Sequence, residues 1–224
     1  MSSNHSIFFI GKSGNHNCEQ AEHYIKRHFK NYRSLMLSRG EKLSEVDENW
    51  SGDYIISYLS PAILSKKLLK NVGVAALNFH PGPPEYPGIG CTNFAVYDEV
   101  EEYGVTCHHM KETVDTGDIV FVERFKVYER DDVYAITNRC YAHLQSLFYS
   151  VIDLILNGNK MPVSTEKWTK KPYTRADLNN LAKVSLDMSH AEMRRRLKAL
   201  EFPGAQGAYL SISDLKLSLN DIKE

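Results

Sequence analysis

The 224-residue sequence is notable first for what it has little of. Its four cysteines show no paired spacing, which favours reduced thiols in a cytoplasmic protein over a disulfide framework. No apolar run approaches the length of a membrane span, and the run at residues 7–10 is too short for a signal-peptide core and lacks a basic leader. The formal net charge of −1 gives no general attraction to nucleic acids or membranes. We therefore expect a cytoplasmic protein with no nucleic-acid or membrane partner.

Nucleotide-binding motifs are incomplete near the N-terminus. Gly11-Lys12-Ser13 follows an apolar run, as in a phosphate-binding loop, but that motif requires a glycine where Ser6 stands. Gly11 and Gly14 also fall short of the three-glycine fingerprint of dinucleotide-binding folds. This turn is therefore interpreted as a connection between a strand and a helix, which could also line a substrate pocket.

Metal ligands and a protein nucleophile are missing as well. His108 and His109 are adjacent, so on a strand they face opposite ways and cannot both reach one ion. The sequence has neither a His-x-x-x-His pair nor a Cys-x-x-Cys pair, and no serine or cysteine stands at a nucleophile elbow. We expect no metal. In a group-transfer reaction, the attacking group would then belong to a substrate.

The chain does contain a regular succession of apolar strands and amphipathic helices, with 42% hydrophobic residues to build a core. Strands are predicted at residues 7–11, 34–37, 53–59, 75–80, 104–110 and 119–128. Helices are predicted at residues 19–29, 61–69 (opened by Pro61), 92–100 (capped by Thr92) and from 131 or 132 to about 156. This order predicts an α/β fold: a Rossmann-like, mostly parallel sheet flanked by helices. Ligands of such sheets bind at the carboxyl ends of the strands.

Two of these strand ends carry polar groups suited to acyl-type transfer. Asn78 and His80 lie two residues apart, so both side chains point to the same side of the strand, and both can donate to a developing oxyanion. The rigid loop at residues 81–90, rich in proline and glycine, follows them. Asp115 arrives after another strand and could hold an imidazolium or relay a proton.

The motif Asn78-Phe79-His80, the loop after it and Val114-Asp115-Thr116-Gly117-Asp118-Ile119 together resemble the formyltransferases that use N10-formyltetrahydrofolate. The resemblance covers roughly residues 53–157 well. It implies that Asn78, His80 and Asp115 are catalytic and that the folate is a co-substrate. The folate-binding residues implied are Tyr58, Leu59, Ser60, His109, Thr116, Gly117 and Asp118, although a packed or solvent-facing His109 fits the sequence equally well.

Within that family, His80-Pro81-Gly82-Pro83-Pro84 and Phe202-Pro203-Gly204-Ala205 are similar to the branch that acts on nucleotide sugars. The resemblance implies transfer of a formyl group to the amine of a nucleotide-linked amino sugar, with a dTDP-4-amino-4,6-dideoxyhexose favoured. The product would serve a surface polysaccharide such as the lipopolysaccharide O-antigen. The substrate-binding residues expected are Pro81, Gly82, Pro83, Tyr86, Trp168, Lys171 and Tyr173.

The chain divides by pattern into a catalytic domain at residues 1–158 and a C-terminal part at residues 159–224. Residues 166–175 interleave cations with aromatics, which fits either a solvated linker with one anchoring tryptophan or a wall that stacks a base and neutralises a diphosphate. Two helices then precede a predicted β-hairpin at residues 208–219, turning at Ser213-Asp214. An isolated hairpin needs a cover, which could be the chain's own sheet domain or the same hairpin of a twofold-related copy. We favour the second and expect a homodimer.

Three other functions remain as alternatives. A glycinamide ribonucleotide formyltransferase has a similar length but would not need the tail after Gly158. A methionyl-tRNA formyltransferase would need a substantial basic C-terminal domain. A folate- or nucleotide-binding protein without turnover would not need Asn78, His80 and Asp115 together.

Overall fold

A six-stranded sheet forms the centre of the computed structural model, which describes residues 3–205, 207–212 and 215–219. Its strands are β1 (Ser3–Lys12), β2 (Phe29–Leu37), β3 (Gly52–Tyr58), β4 (Val72–His80), β5 (Glu102–His109) and β6 (Ile119–Lys126). They lie in the order β2-β1-β3-β4-β5-β6. Pairing is parallel from β2 to β4 and antiparallel from β4 to β6. The predicted α/β fold with a mostly parallel sheet is confirmed.

Helices cover both faces of the sheet: α1 (His16–His28), α2 (Glu45–Glu48), α3 (Lys66–Lys70), α4 (Cys91–Tyr97) and α5 (Val133–Leu156). The continuous apolar run of β1 shows why, because Ile7, Phe8, Phe9 and Ile10 are all fully buried. Alternate residues of this run enter two separate core clusters, one on each side of the sheet. In the described part of the chain, no helix has both the length and the apolar character needed to cross a bilayer.

Three helices differ clearly from their predicted limits, and the first, α1, runs over residues 16–28 instead of 19–29. Residues 61–65 are irregular and α3 begins only after Ser65, whose hydroxyl accepts from the N–H of Leu68. Proline at a first turn permits a helix but does not start one, and here the capping serine decides. The next helix begins one residue before Thr92, at Cys91. Its N-cap is Gly90, which has a φ of 73°.

The C-terminal part adds α6 (Arg175–Ala182), β7 (Lys183–Val184), α7 (His190–Leu200), β8 (Tyr209–Ile212) and β9 (Leu215–Ser218). β8 and β9 pair antiparallel, as the predicted hairpin requires, and the predicted turn at Ser213-Asp214 lies outside the described residues. Two residues of β7 pair with β8, which the sequence analysis did not anticipate. Helix α7 packs on α4, where Asn93 Nδ2 donates to the carbonyl of Ala199 at 2.7 Å.

Candidate active site

The ends of β4 and the loop between β5 and β6 bring three predicted catalytic side chains together. Asn78 and His80 come from the last residues of β4, and Asp115 comes from the loop that joins β5 to β6. Asp115 Oδ2 lies 3.2 Å from His80 Nδ1, and Asp115 Oδ1 lies 3.4 Å from Asn78 Nδ2. The sequence therefore folds two distant motifs into one cluster at the edge of the sheet.

Asp115 is the centre of this cluster. Its side chain is only 5% exposed, and its backbone has a φ of 46°, in the left-handed region that non-glycine residues rarely occupy. The N–H of Gly88 donates to Oδ2 at 2.7 Å. Residues with strained backbone persist only where the surrounding structure holds them, and they cluster at functional sites.

The electrostatics keep this carboxyl ionised. Burial alone would raise the pKa of Asp115, but the His80 and His108 imidazoles and the N–H of Gly88 together hold that pKa well below its usual range. Asp115 is thus a buried anion that accepts hydrogen bonds from several sides. It is suited to holding a protonated imidazole beside a reacting group.

His108 is a fourth member of the cluster that the sequence analysis did not assign to catalysis. It pairs with Asn78 in the β4–β5 register, and its Nε2 lies 3.1 Å from Asn78 Nδ2 and 3.2 Å from Asp115 Oδ1. Its Nδ1 donates to the carbonyl of His109 at 2.8 Å. Strand alternation predicted that His108 and His109 point to opposite faces of the sheet. Which of the two side chains faces the site depends on the register of β5 with β4.

The orientation of His80 follows from the loop behind it. Its Nε2 donates to the carbonyl of Tyr86 at 2.9 Å, and its Nδ1 faces Asp115 Oδ2 at 3.2 Å. A Cβ added at Gly82 would stand 2.7 Å from His80 Nε2 and 2.9 Å from the Tyr86 oxygen. Glycine at position 82 is therefore what allows this hydrogen bond to form.

A cavity of about 620 Å³ opens in front of the cluster. Of the predicted site residues, it is lined by Leu59, Ser60, Asn78, His80, Pro81 and Asp115. Apolar side chains from residues 59–64 and from Met110 and Val114 form much of its wall. Ile63 and Val114 are 70% and 43% exposed there. Such walls fit a flat heteroaromatic ring such as a pterin.

The other predicted folate residues do not line this cavity. Tyr58 is fully buried and its hydroxyl donates to Gln145 Oε1. Thr116 and Gly117 shape the loop around Asp115: a Cβ at Gly117 would come within 1.6 Å of the His109 oxygen. The side chain of Thr116 bonds within its own loop, that of Asp118 forms an exposed pair with Lys111, and His109 is partly buried.

Of the predicted substrate residues, Pro81 lines the cavity and the others do not. Gly82, Pro83 and Tyr86 are buried, and the Tyr86 hydroxyl donates to Asp98. Tyr173 stacks on Phe94 with ring centroids 3.8 Å apart. Lys171 is exposed, outside the cavity lining.

Trp168 packs against both imidazoles of the cluster. Its ring meets those of His80 and His108 edge to face, with centroids 5.9 and 5.0 Å away. Its indole N–H donates to the carbonyl of Gly117 at 2.7 Å. Trp168 thus anchors the segment at residues 166–175 to the catalytic cluster and does not line the cavity.

Taken together, the cluster offers a donor amide, a buried anion and two imidazoles, which suits charge stabilisation and proton transfer. Within the described residues, no group of three or more His, Cys, Asp or Glu side chains has the arrangement to hold a metal ion.

Comparison with known proteins defines the family. A family profile described as formyl transferase matches residues 12–152, which include Asn78, His80 and Asp115. The chain therefore belongs to the formyl transferase family.

Among curated relatives, a methionyl-tRNA formyltransferase of Caldicellulosiruptor saccharolyticus is 26% identical over 83% of this chain and 60% of its own length. A GDP-perosamine N-formyltransferase of Brucella melitensis is also 26% identical, over 78% of this chain and 67% of its own. The chain thus spans about 60% of the length of the first of these relatives.

Solved structures show that the fold extends over nearly the whole chain. A sugar N-formyltransferase from a Shewanella species superposes with a TM-score of 0.77 at 19% identity, covering 96% of both chains. An N-formyltransferase from Helicobacter canadensis, in complex with folinic acid and dTDP-3-aminofucose, gives a TM-score of 0.72 at 18% identity over 96% of this chain and 86% of that one. At these identities the likeness concerns the fold.

Proposed function

We propose that this protein transfers a formyl group from N10-formyltetrahydrofolate to the amine of a nucleotide-linked amino sugar. The observation that carries this proposal is the convergence of Asn78, His80 and Asp115 at the wall of one cavity, in a chain of the formyl transferase family. Structural relatives that are sugar N-formyltransferases, and span almost the same length as this chain, support the sugar as acceptor.

N10-formyltetrahydrofolate, when bound, supplies the formyl group, which passes to the free amine as the bond from the formyl carbon to N10 breaks, the amine loses a proton and N10 gains one. Asn78 Nδ2 donates to the formyl oxygen as negative charge develops there. We propose that His80, whose ring nitrogens face the Tyr86 carbonyl and the Asp115 carboxylate, adds positive charge nearby as an imidazolium. Asp115 holds that charge in place and relays the proton released by the amine.

Pterin binding is proposed at the apolar wall of the cavity. The backbone of Leu59 and Ser60 and the loop from Met110 to Asp115 enclose this part, and Leu59 has a φ of 52°. Thr116, Gly117 and His109 would act indirectly, because they shape the loop that presents Asp115. Trp168 is proposed to hold the two imidazoles.

The finer assignment is a dTDP-4-amino-4,6-dideoxyhexose as acceptor, for an N-formylated sugar of a surface polysaccharide such as the O-antigen. Support for a dTDP-linked sugar comes from the relative in complex with dTDP-3-aminofucose, and support for a GDP-linked sugar from the perosamine enzyme. We favour dTDP because the structural relative covers more of both chains.

For assembly, we propose a cytoplasmic homodimer that pairs through the β8–β9 hairpin. Ile212, Leu215 and Leu217 expose 42%, 66% and 49% of their surface there, which leaves an apolar patch that the described residues do not cover.

The purified protein should form tetrahydrofolate when it is mixed with N10-formyltetrahydrofolate and the right acceptor. The panel should contain dTDP- and GDP-linked 3-amino and 4-amino sugars, glycinamide ribonucleotide and methionyl-tRNA. Turnover only with an amino sugar is the expected result. Turnover with methionyl-tRNA or glycinamide ribonucleotide would move the function to that acceptor, and folate binding without turnover on any acceptor would contradict catalysis.

A further inference from the structure

One end of the cavity gathers positive charge from three separate elements. Lys12 is the last residue of β1, Arg39 lies two residues after the end of β2, and Arg175 is the first residue of α6. All three line the cavity, together with the hydroxyl-bearing Ser13 and Ser38. They form a cationic cluster of Lys12, Ser13, Ser38, Arg39 and Arg175 at the β1–β2 side of the sheet edge.

Arg175 lacks a partner that a buried guanidinium nitrogen normally has. Its Nε is buried and has no hydrogen-bond partner among the described residues. Arg39 and Arg175 line the same cavity, and burial together with the positive charge of Arg39 lowers the pKa of Arg175, which indicates repulsion between the two guanidinium groups. Within residues 3–205, 207–212 and 215–219, neither arginine forms an ion pair with a carboxylate, so this repulsion has no internal compensation.

Other charged residues at the cavity do have partners of opposite charge. Lys111 pairs with Asp118 at 3.5 Å, and the Glu112 carboxylate pairs with Lys66 at 3.0 Å. Ion pairs thus balance charges elsewhere at the cavity. An unbalanced pair of guanidinium groups facing a cavity is the arrangement expected for binding an anion with several oxygens.

We propose that Arg39 and Arg175, with Lys12 and the two serine hydroxyls, form the subsite for the diphosphate of the nucleotide-linked substrate. This inference rests on the proposed function, since it assumes a nucleotide-linked acceptor. Of the residues 166–175 expected to neutralise a diphosphate, it assigns this contact to Arg175, because Lys170 lies over the Tyr86 ring and pairs with Asp98 while Lys171 lies outside the cavity lining.

A second source of oxyanions is the glutamyl carboxylate of the folate, so position must decide. The proposed pterin wall lies at the end of β3 and in the loop between β5 and β6. The cationic cluster lies at the ends of β1 and β2, on the far side of β3 in the sheet order. Arg175 also follows Tyr173, which is tied to the loop after His80 by backbone bonds to Pro87 and Ile89. The charge therefore sits opposite the pterin, where the second substrate would extend.

The test measures binding of dTDP, GDP and inorganic pyrophosphate by calorimetry to the full chain and to Arg39→Gln, Arg175→Gln and the double variant. Arg130→Gln is the matched control, since Arg130 is exposed and outside the cavity. We expect each single variant to weaken diphosphate binding by about tenfold or more, and the control to bind like the parent. Arg39 is exposed, so Arg39→Gln preserves a folded test case even if Arg175→Gln disturbs α6.

Each outcome of this test either supports or overturns the proposed diphosphate subsite. Loss of affinity for the nucleoside diphosphates in the arginine variants supports the subsite, whether or not formyl transfer is detected. Unchanged affinity, or no diphosphate binding by the parent, overturns it even if the parent transfers formyl groups. A parallel titration with tetrahydrofolate and with tetrahydropteroate, which lacks the glutamate, separates the two anions. If the variants lose affinity only for the glutamylated compound, the cluster binds folate and the inference is wrong.

Discussion

Asn78 Nδ2 points toward two acceptors, His108 Nε2 at 3.1 Å and Asp115 Oδ1 at 3.4 Å, and the side chain also reaches the cavity wall. These contacts orient the amide before any substrate arrives. Asn78→Ala should therefore lower kcat by a factor on the order of 10²–10³, as for other lost oxyanion donors, while the thermal midpoint falls only modestly. Single-turnover kinetics with saturating substrates would measure it, and Asn159→Ala, at an exposed asparagine, is the control. A variant as active as the parent would exclude the oxyanion role.

Asp115 links the catalytic cluster to stability. Its pKa is lower in the folded protein than the ordinary value of about 3.9 in an unfolded chain, so its ionised form stabilises the fold above that value. The contribution is lost as the pH falls from about 4 toward the folded pKa. At pH 7, Asp115→Asn should reduce the free energy of unfolding by about 1.5–3 kcal/mol, the scale of hydrogen bonds to a charged group.

Urea denaturation from pH 7 down to about pH 3.5 would check this dependence. The gap between parent and Asp115→Asn should narrow at the acidic end, where the parent carboxylate begins to lose its advantage. Asp118→Asn is the matched control, because Asp118 is exposed and pairs only with Lys111. A gap that stays constant across the range, or an equal loss in the control, would contradict the electrostatic role.

At single positions, sequence reasoning identified the residues whose chemistry is local in the chain. Asn78 and His80 share a strand face by simple alternation, and the structure brings Asp115 to them. The contribution of His108 was not visible, because it depends on the antiparallel register that sets this residue opposite Asn78. Pairing between strands thirty residues apart leaves no local signal in one sequence.

Helices and strands with a long apolar pattern could be predicted from the sequence, whereas short elements that depend on tertiary contacts could not. The apolar runs of β1 and β3 and the long stripe of α5 indicated a layered α/β fold because each must be buried. The two-residue strand β7 and the four-residue helix α2 are too short for any periodicity. Helix α2 forms around the capping box of Ser44 and Asp47, with Asp47 also bound by Arg33 from β2.

The segment at residues 166–175 allows a test at the scale of an element. Trp168 bonds the Gly117 carbonyl and packs on both imidazoles, so Trp168→Ala should loosen the catalytic cluster. We expect kcat to fall by about tenfold, with little change in the KM for the nucleotide sugar. Trp168→Phe, which keeps a ring but loses the N–H donor, should recover part of the rate.

Steady-state kinetics with both substrates varied would separate this positioning role from base stacking. Tyr134→Ala is a suitable control, since this exposed aromatic contacts Phe202 and lies outside the cavity. A raised KM for the nucleotide sugar with kcat unchanged would show that the indole binds the nucleotide instead.

At the scale of the whole molecule, the described residues cover the three-stranded sheet β7-β8-β9 only in part. Val184 of the edge strand β7 is buried, and Leu219, just beyond β9, packs against the core cluster. Leu215 and Leu217 on the edge strand β9 instead remain 66% and 49% exposed. An exposed apolar edge strand tends to pair with another chain unless something protects it.

A twofold-related copy is the partner that best matches such an edge, because two equal strands can pair with each other across the axis. Leu217→Glu should therefore convert a dimer into a monomer, since each twofold contact would bury two new carboxylates in an apolar patch. Leu186→Glu is the matched control: Leu186 is 75% exposed but lies outside β8 and β9. Light scattering at micromolar concentration gives the mass, and circular dichroism checks that the sheet is intact. A parent protein that is already monomeric, or a Leu217→Glu variant that stays dimeric, would show that β9 is not the dimer contact and that its leucines simply face the solvent.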